Sequence, residues 1–176
     1  MANNPVSPKR DLRGIAPAVL AICLLGFPMA GRAANNCPWI NEATASGLLG
    51  GGANGEFTPA ATGQPAVCTF TQQSTEVTRT LRITVELAAD PHAQLGTVAQ
   101  ICGPDVAPVK AIGNEAMVCA ADGRKGATGE RIIGRVRDQV FTITIGTTLK
   151  SDPILNAYAL KSNVLTAAEQ VSGNLF

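Results

Sequence analysis

An alternation of apolar and polar residues predicts several strands in the middle of this chain. In residues 81–87 every second side chain is apolar, and Arg82, Thr84 and Glu86 occupy the positions between them. Successive residues of a strand point to opposite faces of a sheet, so such a segment has one apolar and one polar face. A hairpin turn at Asp138-Gln139 joins the last two predicted strands. The clearer strands predicted in this way span 66–71, 81–87, 114–121, 130–137 and 141–145.

Three segments carry the capping and spacing signals of helices. Asn41 can cap a short helix over 42–49, which a run of three glycines ends. Asp90-Pro91 starts a second helix, because aspartate caps well and proline fits the first turn, and Gly103 ends it. Asp152-Pro153 repeats this signal at the start of the longest helix. The apolar stripe of that helix consists of Ile154, Ala157, Val164, Ala168, Val171 and Leu175.

The order of these elements predicts an α+β fold. A helix is followed by two or three strands, a second helix, three strands and a last helix. Clean alternation is typical of an antiparallel sheet with one packed and one polar face. We therefore expect a single domain with an antiparallel sheet of about five to six strands and helices packed mainly on one face.

The first 33 residues have the composition of a secretory signal peptide. Lys9, Arg10 and Arg13 precede an uncharged stretch over 15–30, and Gly31-Arg32-Ala33 offers the small residues of a cleavage site. The stretch is shorter than the about 20 apolar residues that a spanning helix needs, which favours a cleaved peptide over a retained anchor. We expect cleavage after Ala33 and a single domain over 34–176, in the periplasm or outside a bacterial cell.

Removal of the signal peptide changes the charge balance of the chain. It takes away four of the 14 basic and one of the 13 acidic side chains, which leaves a net charge of −2. Binding to a nucleic-acid backbone or to an anionic membrane needs clustered Lys and Arg. The composition therefore predicts no nucleic-acid partner and, after cleavage, no transmembrane segment.

Four cysteines remain in the mature chain: Cys37, Cys68, Cys102 and Cys119. Cysteines of exported proteins tend to pair, and four cysteines allow three connectivities among which sequence alone does not decide. The predicted elements favour Cys37–Cys68 and Cys102–Cys119, because these pairs close short loops without threading. A zinc site is the alternative, but the spacings contain no CxxC pair and the chain has one histidine. No metal site is predicted.

Arginines on the predicted polar sheet face are the one candidate for ligand binding. Guanidinium groups bind carboxylates and phosphates through paired hydrogen bonds, so this face predicts a small anionic ligand or an envelope protein as the partner. A solvated face without a ligand would have the same composition, since Thr and Arg are common there. The candidate residues are Arg82, Arg131, Arg135 and Arg137.

No motif of the chain predicts catalysis or a cofactor. His92 is the single histidine, and no GxSxG motif accompanies it. The glycines within 50–55 match the GxGxxG spacing, but they follow a helix rather than a strand and so predict a loop. A hydrolase whose site is assembled from His92, Asp105 and a distant serine remains an alternative.

Several short segments resemble a type of small exported bacterial domain, often found on envelope lipoproteins, whose function is mostly undescribed. The resemblance implies a compact α/β sandwich and adds no catalytic residue. The chain has Asn114 where such domains are expected to have aspartate, and it lacks their lipidated cysteine. The segments that carry the resemblance are Cys37-Pro38-Trp39, Cys68-Thr69-Phe70, Ile112–Ala116 and Ala168–Phe176.

Together these patterns favour a non-enzymatic exported domain that binds a partner through its sheet face. The absence of a recognisable acid–base pair, metal cluster or nucleophile motif supports this interpretation. The hydrolase and a structural module of an envelope assembly remain the alternatives.

Overall fold

A computed structural model describes residues 36–121 and 127–176 of the chain. The predicted signal peptide over 1–33 and its cleavage site lie outside these ranges, so both stay predictions. The described residues belong to one compact unit, Ala33–Phe176. They form α1 (Glu42–Leu49), β1 (Asn54–Thr58), β2 (Ala66–Gln73), β3 (Thr78–Leu87), α2 (Pro91–Ala99), a 3₁₀ turn (Gln100–Cys102), β4 (Ala107–Val109), β5 (Glu115–Ala120), β6 (Thr128–Val136), β7 (Gln139–Thr147) and α3 (Ala157–Leu175).

The strands form one antiparallel sheet in the order β1-β2-β3-β7-β6-β5-β4. The α+β prediction is therefore confirmed, but the described sheet has seven strands rather than five to six. The two edge strands account for the difference. β1 contains asparagine, glycine and glutamate in five residues, and β4 is three residues long with Pro108 at its centre. Neither strand is long or apolar enough to show a period of two.

One face of the sheet, which we name the core face, carries the main hydrophobic core. Alternate residues of the two central strands, such as Ile83 of β3 and Ile143 of β7, lie opposite each other there and are fully buried. Val164, Ala168 and Val171 of α3 belong to the same cluster. α1 contacts β2 and β3, while α3 contacts β6 and β7. The predicted apolar period of β3 and β7 is the basis of this packing.

The opposite face, which we name the outer face, is partly covered by α2. Register places Ile133 of β6 and Val140 of β7 on this face, and both are buried. Leu95 is the buried residue of α2, and α2 contacts β6 and β7. The described contacts thus divide the helices, with α1 and α3 on the core face and α2 on the outer face.

The predicted start of α3 and the predicted hairpin turn are wrong, and β3 begins at Thr78, three residues before the predicted strand. α3 begins at Ala157, where the Asn156 side chain accepts a hydrogen bond from the Ala159 amide, rather than at Asp152-Pro153. The last hairpin turns at Arg137-Asp138 rather than one residue later, because Val136 pairs with Gln139. Arg137 takes a left-handed backbone conformation, with a φ of 53°.

Both predicted disulfides are confirmed. Cys37 is bonded to Cys68 of β2 and Cys102 to Cys119 of β5, with Cα–Cα distances of 5.7 and 5.6 Å. The first bond ties the segment before α1 to the core face. The second ties the turn after α2 to the outer face. Two bonds of this kind agree with an oxidising compartment.

Candidate functional site

Strand register brings two of the predicted arginines into one row on the outer face. Arg82 of β3 and Arg131 of β6 each pair with Thr144 of β7, which lies between them. Neighbouring strands lie about 4.8 Å apart, so the two arginine Cα atoms are separated by about 10 Å. We name Arg82, Thr144 and Arg131 the arginine row.

Threonines surround the arginine row. Every residue of this surface points away from the core face, and none of them is buried. We name this surface the open half of the outer face, in contrast to the part that α2 covers. It consists of Thr69, Thr71, Thr80, Arg82, Thr84, Arg131, Thr142 and Thr144.

Arg131 is oriented by a neutral partner. Its Nε donates a hydrogen bond to the Thr144 hydroxyl over 3.3 Å, which leaves the terminal nitrogens of the guanidinium available. The side chain borders a hollow of about 230 Å³ on the sheet, where Gly129 and Gly146 face each other across β6 and β7. At Gly129 the chain itself fills the place of a side chain, since a Cβ there would lie 2.8 Å from the Ile145 carbonyl oxygen and 3.3 Å from the Ala121 Cβ.

Charge on the arginine row is not neutralised by the described acids. Among residues 36–121 and 127–176, neither Arg82 nor Arg131 forms an ion pair. Glu56 of β1 lies on the same cross-strand line, with Thr69 between it and Arg82, and forms no ion pair with Arg82. An anion placed at the row would therefore meet two guanidinium groups and several hydroxyls.

The other two predicted arginines lie elsewhere. Arg135 donates from Nε to Glu115 Oε2 over 3.1 Å, and Nδ1 of His92 lies 2.9 Å from the same oxygen. These hydrogen bonds, first that of Arg135 and then that of His92, hold the pKa of Glu115 below its ordinary value. Arg137 lies in the hairpin turn, with its guanidinium carbon 5.7 Å from the centre of the Phe176 ring. Neither arginine belongs to the arginine row.

His92 has a carboxylate partner that the sequence did not indicate. The partner is Glu115 of β5 rather than Asp105, which lies on the exposed segment between the 3₁₀ turn and β4. The His92 side chain is 76% exposed. The contact links the first turn of α2 to β5, so within the described residues it serves to hold α2 on the outer face.

A buried arginine was missed from the sequence. Arg79 of β3 lies on the core face and is 5% exposed. Its Nε and one terminal nitrogen donate to the two carboxylate oxygens of Asp152 over 2.7 and 2.9 Å, and its other terminal nitrogen donates to Gln72 over 3.1 Å. The Arg79 guanidinium, and with it Thr147 and two backbone amides, holds the pKa of Asp152 far below its ordinary value. All these groups are occupied by each other, so the pair is structural.

Glu130 occupies a second, separate cleft. It lies on the core face opposite Ile145, beside a cleft of about 460 Å³ between β6 and the start of α3. Burial raises the pKa of Glu130 above its ordinary value, against a smaller opposite effect of Lys161. The sequence offered one sign of its inward direction, which is that Glu130 shares its parity with Ile132.

The described residues offer no group of three or more His, Cys, Asp and Glu side chains that could hold a metal ion. Within the same ranges, no helix has the length and apolarity that crossing a membrane requires.

Comparisons of the chain with protein-family models, with curated proteins and with solved structures gave no match. The described residues form a disulfide-linked α+β domain whose antiparallel sheet is partly covered on its outer face.

Proposed function

We propose that the chain is an exported binding domain whose ligand carries an anionic group and binds the open half of the outer face. The observation that carries this proposal is the arginine row, in which two guanidinium groups flank one hydroxyl without an acidic partner among the described residues. Both guanidinium groups are thus available to an anion.

Export is supported by two independent features. The first 33 residues have the pattern of a signal peptide, and the four cysteines that follow form two disulfides. The resemblance to exported bacterial envelope domains points the same way. We therefore propose a periplasmic or secreted location. We propose neither a nucleic-acid partner nor catalysis.

Arg82 and Arg131 rather than Arg131 and Arg135 are the residues to test. Arg135 is already engaged with Glu115, so its removal would disturb the attachment of α2 as well as the surface charge. Arg137 offers a matched control, because its replacement removes the same charge from the hairpin turn. Neither Arg82 nor Arg137 is buried.

The test is a titration of the oxidised, isotope-labelled full chain with acetate, inorganic sulfate and inorganic phosphate at constant ionic strength. We expect amide shifts at Arg131, Thr144 and Gly146. Replacing Arg82→Gln together with Arg131→Gln should weaken binding at least about tenfold, since hydrogen bonds to charged groups are among the stronger ones. Arg137→Gln should leave it unchanged. Equal binding by the double variant and the parent, or shifts confined to other surfaces, would overturn the proposal.

A further inference from the structure

A second hollow overlaps the edge of the open half at Thr84 and Thr142 and has an apolar side, which the rest of the open half lacks. It has a volume of about 270 Å³ and lies between the sheet and the helical segment that contains α2. Thr84 and Thr142 form its floor, while Val98 of α2 and Ile101 of the 3₁₀ turn form an apolar wall. Ile101 is 58% exposed and, with Val98, gives this hollow an apolar side.

This apolar wall lies beside the arginine row. Thr84 and Thr142 pair with each other and lie one side-chain repeat from the row, since Thr84 follows Arg82 on β3 and Thr142 precedes Thr144 on β7. Two residues of a strand span about 7 Å. A molecule of a few carbon atoms is therefore long enough to contact Ile101 at one end and a guanidinium of the row at the other.

The far end of the hollow is acidic. Glu86, four residues from Arg82 on β3, lines the hollow, and its carboxylate accepts a hydrogen bond from the Gln94 amide over 2.8 Å. A second anionic group on the ligand would be repelled at this end. The surface thus changes from acidic through apolar to basic along the strand direction, which selects a ligand with its charge at one end only.

We propose that the ligand is an amphiphilic monoanion: a single molecule with a short acyl chain along Val98 and Ile101 and an anionic group at Arg82 and Arg131. This inference rests on the proposed function, because it uses the same arginine row. Charge complementarity fixes the orientation of the molecule. A free molecule rather than a membrane surface is the occupant, since the apolar side chains line a hollow between helix and sheet.

The experiment compares octanoate, below its micelle concentration, with acetate in the same amide-shift titration of the oxidised full chain. We expect octanoate to bind at least about tenfold more tightly than acetate, which is the effect of burying about two methylene groups. Ile101→Ser should remove this preference and leave acetate binding unchanged. Ile154→Ser is the matched control, because Ile154 is a similarly exposed isoleucine (45%) outside this hollow.

The outcomes separate this inference from the proposed function. Equal affinities for acetate and octanoate, both abolished by Arg82→Gln with Arg131→Gln, would overturn the amphiphile and retain the anion site. If neither acetate nor octanoate shifted the amides of the arginine row, both the amphiphile and the anion site would be overturned. Vesicles of phosphatidylglycerol, compared with phosphatidylcholine vesicles, test the other source: binding to the anionic vesicles without binding of octanoate would overturn the single-molecule ligand. Loss of the octanoate preference in Ile154→Ser would overturn it as well.

Discussion

Two arginines three residues apart on β3 have opposite fates. Arg79 points to the core face, where all three of its nitrogens bond to Asp152 and Gln72. Arg82 points to the outer face, is exposed, and forms no ion pair among the described residues. The two residues belong to the same strand and differ only in which face their position selects.

The difference separates a cation that the fold requires from one that it does not. A buried guanidinium is stable only with a fully bonded counter-ion, so Arg79 and Asp152 constrain each other and the loop before α3. An exposed guanidinium has no such requirement, because water solvates it. Arg79 therefore contributes to stability, while Arg82 is available for the ligand binding that we propose at the open half of the outer face.

The largest effect is expected from breaking the buried pair. Arg79→Met leaves the Asp152 carboxylate uncompensated and should lower the free energy of unfolding by about 3–5 kcal/mol. Arg82→Met, a matched change on the other face, should alter it by no more than about 0.5 kcal/mol. Urea denaturation of the oxidised proteins measures both values.

A second variant separates the orphaned charge from lost packing. Arg79→Met with Asp152→Asn removes both charges, while the asparagine oxygen can still accept from the Ile154 and Leu155 amides that Asp152 now binds. This protein should be more stable than Arg79→Met alone. If Arg79→Met were no more costly than Arg82→Met, the buried pair would not be the constraint described here.

The two faces also differ in their disulfides, because Cys37–Cys68 is attached to the core face and Cys102–Cys119 to the outer face. Loss of Cys37–Cys68, which closes 31 residues, should cost about 3.7 kcal/mol, and loss of Cys102–Cys119, which closes 17, about 3.1 kcal/mol in the chain-entropy model. Paired Cys→Ala variants and denaturation without reductant measure these values.

Hydrogen exchange adds a regional control to the same variants. Cys102 ends the 3₁₀ turn that follows α2. Only in the Cys102→Ala/Cys119→Ala protein should the α2 amide hydrogens therefore exchange with solvent faster than global unfolding of that protein would explain. The Cys37→Ala/Cys68→Ala protein should keep α2 protected. Equal protection of α2 in both would show that the outer-face disulfide does not hold this helix.

Local signals explain which parts of the fold were predictable. The Asn41 cap, the left-handed Gly50 and the Asp90-Pro91 start each act within one helical turn, and α1 and α2 begin where they indicate. The disulfide pairs followed from the order of the elements. The period of two placed Arg82 and Arg131 on one face correctly, but it carried no information on which strands are neighbours, and so none on the arginine row.

The errors come from contacts distant in sequence. Asp152 has the position of a helix cap, but its partner Arg79 lies 73 residues away, and the start of α3 moves to Ala157. Arg79 lies two residues before Leu81, so the period of two puts both side chains on the apolar face of the strand. This position was the sequence signal for a buried charge. Ile133 lies on the same face of β6 as Arg131 and Arg135. An apolar residue on this otherwise polar face was the corresponding signal for the helix that covers part of the outer face.

The smallest effect is expected at two glutamates whose pKa values change in opposite directions on folding. Bonds from Arg135 and His92 lower the pKa of Glu115, whereas burial raises that of Glu130. A lowered carboxyl pKa contributes stability above its ordinary value near 4.5, and this is lost as the pH falls through the folded pKa. A raised carboxyl pKa contributes to the free energy of unfolding at low pH, and this contribution is lost as the pH rises from near 4.5 through the folded pKa.

Substitution by glutamine should therefore have opposite signs at the two positions. At pH 7 we expect Glu115→Gln to lower the free energy of unfolding and Glu130→Gln to raise it, both by less than the changes above. Each difference from the parent should shrink as the pH falls below the ordinary carboxyl pKa near 4.5, at a lower pH for Glu115 than for Glu130, and urea denaturation at pH 3, 5 and 7 tests this. Destabilisation by Glu130→Gln at pH 7 would mean that this carboxylate has a stabilising partner. The cleft beside α3 would then be a second charged site, and the proposed division between a structural core face and a binding outer face would no longer hold.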